Sequence, residues 1–169
     1  AINHVNADKS HNLRPRGVIA VDLFGQPADY DALDRICKTN DLFLIEDAAQ
    51  GFGALYKGKR TCSFGDIATT SFFPAKPLGC YGDGGAIFCK DLAIAKTLRS
   101  IRVHGQGEHK YDNVRIGVNG RLDTFQAAFL LAKFEIFEDE IRERNEVAAR
   151  YQSGLEGIVG CPYVAPERT

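Results

Sequence analysis

The feature that most narrows the fold is a strand, helix, strand succession with short joints near the start of the chain. Gly17 to Val21 is a β-branched apolar run closed by Gly25-Gln26-Pro27, a turn signal. Asp29 or Asp31 then caps a helix through Lys38 that places Leu33, Ile36 and Cys37 on one face. Residues 42–45 form the next buried strand, closed by the carboxylates of Glu46 and Asp47. Two such strands joined through a helix are the crossover unit of a parallel sheet, so the class is α/β. Ile67 to Phe72 and Gly85 to Phe88 are two further strands, and Asp91 caps a helix running to about Ile101.

From Arg102 to Gly120 the chain is polar with no clear period and reads as a long loop, a length that is usually functional or interfacial. Asp123 or Thr124 then opens the longest helix, to about Glu156, with Gly157 as its stop. Its first half is apolar nearly all round (Phe125, Phe129, Leu130, Leu131, Phe134, Phe137), whereas its second keeps a stripe of Ile141, Ala148, Tyr151 and Leu155. A helix that is apolar on every side needs neighbours on every side. The chain offers few, which implies missing segments or a partner subunit. It also starts at Ala1 and contains no methionine, so it reads as a piece of something longer.

Charge excludes several function classes. With 21 basic against 22 acidic residues and a net charge of −1, the chain carries no footprint for nucleic acid or anionic lipid. No apolar run approaches membrane-spanning length and Ala1 to His11 lacks a signal core, so the expectation is a soluble cytoplasmic protein. Cys37, Cys62, Cys80, Cys89 and Cys161 form no Cys-x-x-Cys pair and read as reduced thiols. His4, His11, His104 and His109 are scattered without carboxylates at ligand spacing, and no metal is expected.

The chemistry concentrates at Lys76, the one basic residue between Thr70 and Phe88. A lysine picked at random keeps its head in water and its stem on apolar neighbours. Here Pro74 and Pro77 bracket it, each biasing the residue before it toward extended geometry, so the loop is stiff and the side chain aimed. An aimed amine suits imine formation with an aldehyde, and the carboxylate of Asp47 at a strand end suits a protonated pyridine nitrogen. Together they point to pyridoxal phosphate. Asp47 could equally cap the following turn. Gln50, on the same side, could contact the cofactor ring or sit in a solvated turn, and Ser71 could donate to a phosphate or be an ordinary strand-end hydroxyl. Gly79, Gly82, Gly84 and Gly85 lack the dinucleotide order and precede a strand, so they read as backbone freedom beside a crowded ligand. Asn119-Gly120 has the composition of a two-residue hairpin turn, and Arg121 is either a carboxylate or phosphate clamp or a simple salt bridge.

Four motifs in order resemble the DegT/StrS family of sugar aminotransferases. They are Ile45-Glu46-Asp47-Ala48-Ala49-Gln50, then Ser71-Phe72-Phe73-Pro74-Ala75-Lys76-Pro77-Leu78-Gly79, then Gly84-Gly85-Ala86, and finally Gly117-Val118-Asn119-Gly120-Arg121-Leu122-Asp123 with Gln126-Ala127-Ala128. The resemblance covers essentially the whole chain but about half of a complete family member. It implies a fold-type I pyridoxal phosphate enzyme, active as a homodimer with sites at the subunit interface. Residues 1–157 would belong to the large cofactor-binding domain, and 158–169 would begin the link to a C-terminal domain. It also implies roles: Lys76 the Schiff-base lysine, Asp47 the pyridine-nitrogen partner, Gln50 the ring contact, Ser71 a phosphate ligand. Asn119 would reach the phosphate of the other subunit's cofactor, and Arg121 would lie near the sugar.

The wording around Lys76 resembles the branch that transfers an amino group, from glutamate, to a UDP-linked 2-acetamido-3-oxo-glucuronate for surface polysaccharide such as O-antigen. Ala75, Gly51 and Gly120 depart from the family pattern, where serine, serine or alanine, and a larger residue are usual. Two alternatives stand beside this reading. Sugar dehydratases resemble these enzymes but carry histidine at the lysine position, and a non-catalytic assembly module would keep the cofactor residues only as relics.

Overall fold

The structure, a computed structural model, describes residues 1–8, 10, 13–109 and 111–168; His11 lies outside them. A short helix α1 (Ile2–Ala7) precedes strand β1 (Gly17–Val21), a 3-10 turn at Leu23–Gly25 and helix α2 (Tyr30–Thr39). Strand β2 (Phe43–Asp47) is followed by a two-stranded hairpin, β3 (Leu55–Tyr56) and β4 (Lys59–Arg60), then by strands β5 (Ile67–Ser71) and β6 (Gly85–Cys89). Helices α3 (Leu92–Arg102), α4 (Thr124–Phe134) and α5 (Phe137–Leu155) complete the order. The main sheet runs β1-β2-β5-β6, with β1, β2 and β5 parallel and β6 antiparallel to β5. The class is α/β with a mostly parallel sheet flanked by helices, as the crossover pattern predicts. The antiparallel direction of β6 follows from its joint: no crossover helix separates it from β5, only the loop that carries Lys76.

Register fixes the faces. Glu46 lies between Ala20 and Ala68 and Leu44 beside Val18, on the face covered by Tyr30, Cys37, Tyr56 and Phe64, with Ala20, Leu44, Glu46 and Ala68 buried. Tyr30 and Phe64 stack at 4.5 Å. A second core gathers Phe72, Leu78, Cys80, Leu130 and Phe137. The opposite face of the sheet is open, with Ile19, Val21, Phe43 and Ile87 all exposed.

Two expectations are corrected. Asp29 caps α2 by accepting from the Ala32 N–H, but Ile36 is exposed. Tyr30, Leu33 and Cys37 form the packed line at i, i+3 and i+7, and Ile36 lies about 100° round the helix from Cys37. The long helix after Asp123 is two helices, broken at Glu135–Ile136, where Ile136 leaves helical geometry at φ −105° and ψ 2°. The break carries Phe137 into the core against Phe52 and over Gly53, whose φ of +93° and missing Cβ make the space. Of the apolar residues on α4, Phe125, Phe129, Leu131 and Phe134 are exposed, so among the described residues the neighbours that an all-round apolar helix requires do not cover them.

Candidate active site

Because β1, β2 and β5 are parallel, the loops after them leave the same edge of the sheet. Those loops begin at Asp22, Ala48 and Phe72, and ligands of open α/β sheets bind outside such carboxyl ends. Gln50 and Lys76 meet there, lining one open cavity of about 560 Å3 with Phe24, Ala75, Pro77 and Arg144. Lys76 is half-buried, and among the described residues its ammonium makes no ion pair or hydrogen bond.

Asp47 ends β2 half-buried, paired in register with Val21 on one side and Thr69 on the other. Ser71 is two residues beyond Thr69, so its side chain leaves the same face of the sheet as that of Asp47. The Asp47 Oδ1 accepts from the Ala49 N–H at 3.1 Å, the turn-capping role; Oδ2 has no hydrogen bond among the described residues. The Ser71 Oγ accepts from the Phe73 N–H at 3.2 Å, which leaves its proton to donate. Neither Asp47 nor Ser71 lines the Lys76 cavity itself.

Prolines supply only part of the stiffness of the Lys76 loop. The Lys133 Nζ donates to the Gly79 carbonyl at 2.6 Å, Arg144 donates to the Pro77 carbonyl at 3.1 Å, and the Gln126 Oε1 accepts from the Tyr81 N–H at 2.8 Å. Helices α4 and α5 therefore pin the loop at three successive odd positions past the lysine. The glycines need a corrected explanation as well. A Cβ on Gly79 would lie 2.6 Å from the Pro74 carbonyl oxygen, and one on Gly84 would lie 2.9 Å from Leu122, so these positions are closed by the protein's own atoms.

Asn119 and Arg121 are elsewhere. Asn119 forms an antiparallel bridge with Val103 at the end of α3, the Gly120 N–H donates to the Arg102 carbonyl, and Gly120 has no positive φ; the two-residue hairpin turn is not formed. Arg121 Nε donates to Asn119 Oδ1 at 2.8 Å, and both residues are exposed. The sequence reading missed Phe24 and Arg144. Phe24, 90% exposed at φ +57°, donates its N–H to Gln50 Oε1 at 2.9 Å. Its place just past the carboxyl end of β1 was a usable signal; nothing local marks Arg144, far along the chain in α5.

An amine with no counter-ion, on a pinned loop beyond parallel strands that also carry a free carboxylate oxygen, is an arrangement of an α/β protein that would suit an aldehyde-bearing cofactor. The family model of the DegT/DnrJ/EryC1/StrS aminotransferases matches residues 2–169, and the chain belongs to that family. It is 53% identical over 152 residues to UDP-2-acetamido-2-deoxy-3-oxo-D-glucuronate aminotransferase of Pseudomonas aeruginosa, covering 89% of this chain and 42% of that protein. A DegT DnrJ EryC1 StrS aminotransferase crystal structure from Brucella abortus superposes with a TM-score of 0.94 at 48% identity, covering 99% of this chain and 44% of that one. The crystal structure of S. venezuelae DesV in complex with a ketimine intermediate gives 0.88 at 40% identity, over 92% of this chain and 42% of that one. The chain thus spans less than half the length of these relatives.

The donor set fits pyridoxal phosphate, the family's cofactor. Lys76 offers a nitrogen without a counter-ion to the aldehyde, Asp47 Oδ2 an acceptor to a pyridine N–H, and Ser71 a hydroxyl proton to a phosphate oxygen.

Proposed function

We propose that this chain is the cofactor-anchoring part of an aminotransferase that moves an amino group, from glutamate, to a keto nucleotide sugar. The substrate we infer is UDP-2-acetamido-3-oxo-glucuronate, a precursor of surface polysaccharide; the 53% identity to the Pseudomonas protein of that name supports it. The observation that carries the reading is the Lys76 ammonium, unpaired and lining one cavity with Gln50 on a loop pinned by two helices.

Pyridoxal phosphate, when bound, supplies a pyridinium ring that takes up the charge left on a substrate carbon when it loses a proton. Asp47 Oδ2 would hold the ring nitrogen's proton in place. Lys76 Nζ would anchor the cofactor through its aldehyde and, as a free amine, would hold or hand over the proton at the reacting carbon as a general base and acid. Gln50, its Oε1 occupied by the Phe24 N–H, would offer its amide N–H donors to the cofactor ring. Asn119 and Arg121 stand away from the Lys76 cavity of their own chain, which supports a homodimer in which Asn119 reaches the neighbouring subunit's cofactor phosphate and Arg121 the sugar. In the full-length protein, Lys76→Ala is expected to abolish both turnover and the visible absorbance of the bound imine. An imine band of wild-type intensity in that variant would overturn the assignment.

A further inference from the structure

Beneath the site lie two carboxyl groups that the mechanism above does not use. Asp22, directly after β1, and Glu46, in β2, are both fully buried, and neither makes an ion pair among the described residues. Asp22 Oδ1 accepts from the Ala28 N–H at 3.0 Å and from the Tyr30 hydroxyl at 2.6 Å. Its Oδ2 is buried with no donor against it. The two Glu46 oxygens accept from the N–H groups of Cys62 at 2.7 Å and Phe64 at 2.8 Å, and its carboxyl is within hydrogen-bonding reach of that of Asp22. Two carboxylates cannot lie in contact without water or a cation, because each would stay desolvated and repelled. A single proton resolves the contact and gives Asp22 Oδ2 its missing donor.

We propose that Asp22 and Glu46 form a proton-sharing acid pair, with the proton on Glu46, that acts as a positioning element for the site. The route to the site is short. The Asp22 N–H donates to the Asp47 carbonyl at 3.0 Å, and its carbonyl accepts from the Gly25 N–H, closing the turn from which the Phe24 N–H holds Gln50. Gly51 crosses directly over Asp22, where a Cβ would lie 2.7 Å from the Asp22 Cβ, so a larger residue there would press on the pair. The titratable groups facing the pair are Tyr30 from α2, Asp47 from the end of β2 and Cys62 from the loop after β4. Burial pushes the Tyr30 hydroxyl up and holds the Cys62 thiol at about 12, so neither supplies a neutral-pH transition.

The pair predicts a sign. Burial raises the Glu46 carboxyl from 4.5 to about 7, against the pull of its two N–H donors. The folded protein then keeps a proton that the unfolded chain gives up, so stability is full at low pH and falls as pH rises through the window from 4.5 to about 7. In the full-length protein with bound cofactor, the unfolding equilibrium should shift on the order of 100-fold between about pH 5 and about pH 8 through this pair alone. Asp22→Asn supplies the donor permanently, so its melting temperature should lose that decline relative to wild type. Parallel profiles for the two proteins would overturn the pair. Should Asp22→Asn fail to fold, the infrared carbonyl band of a buried protonated carboxyl decides in the wild type: present near neutral pH and lost at alkaline pH supports the proposal, absent throughout overturns it. Neither readout uses turnover or the lysine adduct, so failure here and failure of the proposed function are separable.

Discussion

Lys76, Gly79 and Asp22 show three ways in which one residue is tied to the site. Lys76 matters for what it lacks, a counter-ion, and its placement between two prolines made it legible in the sequence. Gly79 matters for space. Because its Cβ would sit 2.6 Å from one carbonyl oxygen and 2.8 Å from another, Gly79→Ala must move the loop backbone. A cost of about 1–3 kcal/mol in stability is expected, with weaker cofactor binding, read by thermal melting and absorbance titration. Wild-type values in both would show that the loop yields freely. Gly51 was noticed only as a departure from a family pattern; that it roofs the buried Asp22 depends on a contact between segments far apart in sequence, which spacing does not encode.

At the scale of elements, helices α4 and α5 serve as a brace for the Lys76 loop. The strongest strut is Lys133, whose charged head reaches a backbone carbonyl 54 residues earlier at 2.6 Å in a half-buried setting. Lys133→Met keeps the apolar stem and removes the donor, so a loss of about 1–3 kcal/mol is expected in denaturant unfolding of the full-length protein. An unchanged midpoint would mean that the strut carries no load. Short apolar runs made the four main strands legible, β-branched in the first, and Asp29, Asp91 and Asp123 marked helix starts that the structure confirms by cap hydrogen bonds. The break at Glu135–Ile136 was not legible, since no glycine or proline stands there and its cause is Phe137 turning toward Phe52. Nor was the β3–β4 hairpin, whose strands are two residues each and carry no alternation to read.

At the scale of the whole molecule, exposed surface is the telling quantity. The chain exposes 12071 Å2 at 18.6 kDa, where an ordinary folded monomer of that mass exposes about 8,200 Å2. The excess agrees with an open sheet face, the exposed α4 residues and a span of less than half of each relative. No helix among the described residues is long and apolar enough to cross a membrane, so a bilayer-spanning helix does not account for that surface. Expressed alone, the 169-residue chain is expected to bind hydrophobic dye and self-associate in sedimentation, whereas the full-length protein should do neither; a dye-free monomer with cooperative unfolding would contradict this. The claim on which the functional account depends is that one nitrogen anchors the cofactor. Borohydride reduction of the full-length holoenzyme, followed by proteolysis and mass mapping, should place the pyridoxyl label on the peptide containing Lys76, and a label on any other lysine would contradict it.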